Sequence, residues 1–146
     1  MTVGMLSLLS ATAQAPGTAH WTATVAHGVG SNGLTVSLKA DIQKGWHIYS
    51  ATQPAGGPLP LVIKVEASAP FQLDGKAQGF VPIKHHDASF DLDTEYYTGS
   101  FSLTIPVKAT APQSGLEVPL AVRFQMCSDT ICMPPKTIHL VAKENA

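Results

Sequence analysis

Cys127 and Cys132 are the two cysteines of this 146-residue chain, with four residues between them and Met133-Pro134-Pro135 following. Thiols this close meet readily when the chain turns between them. A disulfide closing so small a loop removes little entropy from the unfolded chain, about 2 kcal/mol in loop-closure terms. A scaffold bridge would gain more by joining distant strands. The pair therefore reads as a reversible dithiol/disulfide. Exchange proceeds by thiolate attack through a mixed disulfide, so it needs one accessible cysteine and one resolving partner nearby. A hairpin joining the strand before Cys127 to the one after Pro135 would supply both. Pro134 and Pro135 lack amide protons, so they cannot extend a ladder and they stiffen the exit. An inert hairpin disulfide in a non-catalytic interaction module stays open as the plain alternative.

Metal binding is a second chemistry for the same region. Met126, Cys127, Cys132 and Met133 offer soft sulfur ligands, with His85 and His86 as nitrogen donors, a set that suits Cu(I). No second cysteine pair and no HxxxH or MxxM run supports it, and methionines beside a cysteine commonly serve packing. No metal and no cofactor is expected. The segment Trp46-His47-Ile48-Tyr49 reads as a strand with Trp46 and Ile48 towards the core and His47 and Tyr49 outward. His85-His86-Asp87 reads as a solvated polar loop. Hydrolysis and nucleotide binding find no constellation of serine, carboxylate or glycine-rich loop.

Several elements must position these groups. Apolar residues make up 45% and charged residues 13%, with a formal net charge of −1. That balance supports a packed core and excludes an electrostatic footprint for nucleic acid or anionic membrane. One domain is expected over residues 16–146. Residues 1–15 form a short apolar run ending in small residues, a signal-peptide remnant or apolar tail, with cleavage after Ala13 preferred because Pro16 crowds a site after Ala15. The processed chain would then occupy an extracytoplasmic, disulfide-permitting compartment.

Period-two alternation runs through Leu34–Ile42, Phe101–Val107 and Leu116–Met126. Shorter candidate strands are Trp21–Ala26, Trp46–Ser50, Leu61–Val65, Gln78–Val81 and Thr137–Val141. Turn formers separate them, including Gly30-Ser31-Asn32-Gly33, Gly56-Gly57-Pro58 and Asp74-Gly75. Seven or eight strands imply an all-β, immunoglobulin-like antiparallel β-sandwich. If the pleat of Leu116–Met126 continues one step, Cys127 falls on the polar face, within reach of a partner protein.

The ordered set Gly45-Trp46-His47-Ile48-Tyr49-Ser50, Gly57-Pro58, Glu95-Tyr96-Tyr97-Thr98-Gly99, Ile105-Pro106-Val107 and Phe124–Pro135 resembles the N-terminal domain of the thiol:disulfide interchange protein DsbD family. The likeness spans about Trp21 to Val141. It implies an immunoglobulin-like periplasmic domain that accepts electrons from a membrane-embedded thiol reductase or its thioredoxin-like domain. Periplasmic thioredoxin-fold proteins, including those of cytochrome c maturation, would be the acceptors. By resemblance, Cys132 attacks the target disulfide and Cys127 resolves the mixed disulfide. Phe90 is the matching cap-loop aromatic, with Tyr96 or Tyr97 behind it. Tyr49 matches the family's active-site tyrosine, and His47 stands where another aromatic is usual. Well-known members have one more residue between the cysteines. No transmembrane segment or thioredoxin domain follows in these 146 residues, so a fragment and a stand-alone domain with separately encoded membrane partners are both open.

Overall fold

In a computed structural model, residues 17–28 and 33–145 are described. The apolar run expected over residues 1–15, with its cleavage site, lies outside them, as does most of the Gly30–Gly33 turn. The described residues form eleven strands: β1 Ala19–His27, β2 Gly33–Ile42, β3 His47–Tyr49, β4 Val62–Val65, β5 Phe71–Leu73, β6 Ile83–Asp87, β7 Leu92–Thr98, β8 Ser100–Ala109, β9 Glu117–Phe124, β10 Met126–Cys127 and β11 Lys136–Lys143. No helix among them is long and apolar enough to cross a membrane.

Two sheets stack as an immunoglobulin-like all-β sandwich. The larger has the order β4-β9-β11-β1-β2-β8-β5 and the smaller β10-β3-β7-β6. All pairings between strands are antiparallel except β1 with β11. The alternation visible in the sequence is the core pattern. Val36, Leu38 and Ala40 of β2, Leu103, Ile105 and Val107 of β8, and Val118, Leu120 and Val122 of β9 are buried and belong to one apolar cluster. Trp21 closes that cluster by packing on Phe101 and Phe124, with ring centroids 5.8 and 5.1 Å apart.

Three strands depart from the sequence reading. Gln78–Val81 is not a strand; it contributes a single isolated bridge, Gln78 with Thr104. Its Phe80 instead lies over Tyr97 and Phe101, at 5.8 and 6.1 Å. His85-His86-Asp87 is not a loop but the end of β6, paired in register with Leu92-Asp93-Thr94 of β7. Leu116–Met126 is not one strand. It breaks at Gln125, where the chain leaves the large sheet and enters the small one beside β3. Strands that switch sheets in this way form the corners of a sandwich. The Gln125 side chain fixes this corner: its Oε1 accepts from the Leu59 amide (3.1 Å) and its Nε2 donates to the Met133 carbonyl (3.4 Å).

Candidate functional site

The cysteines sit where the corner delivers them. Asp129 and Thr130 form the tip of a tight hairpin whose ladder runs Ser128 with Ile131, Cys127 with Cys132, and Met126 with Met133. The Ser128 amide donates to the Ile131 carbonyl and the Met133 amide to the Met126 carbonyl, both at 2.8 Å. Ser128 Oγ also accepts from the amides of Thr130 and Ile131, at 3.3 and 3.2 Å, which tightens the turn. The rung between these hydrogen-bonded pairs is the Cys127–Cys132 bridge. In an antiparallel ladder such a non-hydrogen-bonded rung brings opposed side chains closest. The two sulfurs form a disulfide, with Cα atoms 4.0 Å apart.

Their surroundings are unequal. Cys127 is 1% exposed, whereas Cys132 is exposed. The expectation that Cys127 is open to a partner is therefore corrected. Its phase is as expected, since it lies on the face opposite Met126 and Ile48 of the core. That outer face, however, is covered rather than solvated. His47 and Tyr49 of β3, Tyr96 and Thr94 of β7, and His85 and Asp87 of β6 share it with Cys127, and Tyr49 is only 3% exposed. The β6–β7 turn, Ala88–Asp91, and the 127–132 hairpin rise on either side. Between them lies a cleft of about 470 Å³ that both cysteines line.

Phe90, 43% exposed, reaches this cleft from the β6–β7 turn. That turn is shaped by Asp87 Oδ1 accepting from the Ser89 amide at 2.9 Å and by Asp91 in the left-handed region, φ 49°. Asp is one of the few side-chain-bearing residues that enter that region readily. His47, Tyr49 and Tyr96 form an aromatic group beside the sulfurs. The His47 ring lies 4.6 Å from Tyr96 and edge-on to Tyr49 at 5.1 Å. His47 Nε2 and Tyr49 Oη are hydrogen-bonded at 3.0 Å. Burial pushes the Tyr49 hydroxyl up to about 12, reinforced by Asp87 and then Tyr96. The same desolvation lowers the His47 imidazole, against the opposing pull of Asp129 and then Asp87.

Two named residues fall elsewhere. Tyr97 is one residue out of phase with Tyr96, so it points into the core and stacks on Phe101 at 4.2 Å. It is not part of the cleft. Pro134 is exposed on the exit towards β11 and does not line the cleft either. The copper set also fails to converge: Met126 is a core residue, and Met133 packs near Trp46 and Gly17. Conversely, Thr94 and Asp129 line the cleft without having been singled out for it. Asp129, lying between the cysteines, was legible in the sequence; Thr94 depended on the unforeseen β6–β7 hairpin.

Residues 13–142 match the protein family described as thiol:disulfide interchange protein DsbD, N-terminal. The chain belongs to this family. A comparison with curated proteins found no match. Among solved structures, the N-terminal domain of DsbD from Neisseria meningitidis in the reduced form is similar with a TM-score of 0.54. It is 19% identical, and the match covers 81% of this chain and 82% of that one. The N-terminal periplasmic domain of ScsB from Proteus mirabilis is similar with a TM-score of 0.63 at 16% identity. That match covers 86% of this chain but 46% of the ScsB chain. At these identities the two structures speak to the fold. Membership of the DsbD N-terminal family and the Cys127–Cys132 disulfide together fit thiol–disulfide exchange.

Proposed function

We propose that this domain relays electrons through Cys127 and Cys132 between thiol–disulfide partners of the thioredoxin fold, in the periplasm. The carrying observation is the unequal exposure of the two sulfurs: Cys132 open, Cys127 at the floor of the cleft. Attack on a partner's disulfide requires a sulfur that a second protein can reach, which Cys132 offers. Resolution needs only an intramolecular neighbour, which Cys127 offers. The oxidised pair is recharged by a donor dithiol, for which a membrane-embedded reductase or its thioredoxin-like domain is the proposed source. Phe90, Tyr49, His47 and Tyr96 surround the pair and keep bulk water from its inner sulfur.

The test is trapping. In Cys127→Ala, Cys132 attacks but the mixed disulfide persists, so a thioredoxin-fold protein bearing an oxidised pair should accumulate as a covalent adduct resolved by non-reducing electrophoresis. Cys132→Ala should trap little. Trapping by Cys132→Ala alone would reverse the two roles. A wild-type disulfide that resists reduction well below about −300 mV would make the bridge a scaffold and end the relay reading.

A further inference from the structure

Resting on that reading of the pair, the geometry points to one further participant. We propose that His47 is the proton acceptor for the Cys127 thiol during resolution of the mixed disulfide. Cys127 and His47 are direct partners across the β10–β3 ladder. Both line the same cleft, so their side chains project from one face of the small sheet. Side chains directly opposed on one face have Cβ atoms only about 5 Å apart. Cys127 is 1% exposed, so bulk water cannot collect its proton.

A buried thiol without a base stays protonated and inert, because the thiolate is the nucleophile and apolar burial opposes it. The other groups facing His47 suit this task less well. Tyr49 shares a hydrogen bond with Nε2, and its hydroxyl holds its proton beyond the ordinary range, so it orients the ring. Tyr96 of β7 packs against the ring at 4.6 Å. Asp87 of β6 and Asp129 of the hairpin supply negative charge that stabilises the imidazolium once it forms. His85 of β6 lines the same cleft, and Lys44 lines the groove on the other side of His47 and Asp129.

The chemistry balances as follows. Cys132 thiolate attacks a partner's disulfide, forming the mixed disulfide and expelling one partner thiolate. His47 takes the Cys127 proton. The resulting thiolate attacks Cys132 Sγ, which forms the Cys127–Cys132 bond and expels the second partner thiolate. Imidazolium returns the proton to that leaving group. The carrier loses two electrons and the partner disulfide gains them.

The probe is dithiobis(nitrobenzoate), whose coloured thiolate is released once on attack and once on resolution. The reduced protein should show two phases of equal amplitude, the second independent of probe concentration. In His47→Gln and His47→Phe the ratio of second- to first-phase rate constants should fall about a hundredfold near neutral pH, within the range of positioned proton transfer. The inflection of the second phase should move up beyond the ordinary thiol range of about pH 8.5, since burial still opposes the thiolate. Free imidazole should restore the second phase in His47→Ala. An unchanged ratio and pH profile in His47→Gln would overturn the proposal while leaving the relay intact. Absence of the first phase in wild type would instead remove Cys132 as the attacking thiol, and both readings with it.

Discussion

At the scale of single residues, the imidazole among the aromatic rings beside the sulfurs has a thermodynamic signature. His47 is half-buried, and desolvation lowers its imidazole below the ordinary value of 6.5. The unfolded chain therefore takes up a proton at a higher pH than the folded one does. Stability from this residue is fully present above about pH 6.5 and is lost as pH falls from there towards the folded value. The denaturant midpoint should drop between pH 7.5 and 5.5, and His47→Gln should drop less. Equal losses in the two proteins would show that His47 titrates alike in both states.

At the scale of elements, the corner at Gln125 does most to create the site. It ends β9, starts β10 and holds both the Leu59 loop and Met133. Gln125→Ala removes two hydrogen bonds at about 1 kcal/mol each. The expected loss is about 1–2 kcal/mol by chemical denaturation, accompanied by faster amide exchange at Leu59. Protection of Leu59 unchanged in the variant would contradict the bridging role. This corner also marks how far the sequence could be read. β2, β8 and β9 were visible because one face of each meets the core and the other does not. Cys127's phase followed from the same pleat. Its burial did not, because that depends on the chain changing sheets and on β6 and β7 rising beside it. β6 was hidden for a related reason: Ile83–His86 are all exposed and Asp87 is half-buried, so it carries no alternation and forms by pairing with β7. Tyr96 and Tyr97 could not be told apart without knowing which parity of β7 meets the core.

At the scale of the whole molecule, stability resides in the sandwich and not in the bridge. Leu120 is fully buried between the sheets, and Leu120→Ala should cost about 2–5 kcal/mol. Removing both cysteines should cost only about 2 kcal/mol, because the loop they close is short. Urea unfolding of both variants beside wild type checks the order; a larger loss from the double cysteine variant would make the bridge a principal support of the fold. This division leaves the core indifferent to the oxidation state of the pair.

The hairpin that carries the sulfurs is held by its own backbone, through the Ser128–Ile131 and Met126–Met133 rungs and the Ser128 hydroxyl. Opening the bond between the sulfurs breaks none of these. On the proposed relay, the hairpin would keep nearly the same outline oxidised or reduced, and a visiting protein would tell the two states apart at the sulfur atoms themselves. Electron traffic would then be governed by encounter and by the relative appetite of each visitor for electrons, with the hairpin needing no reshaping between one delivery and the next.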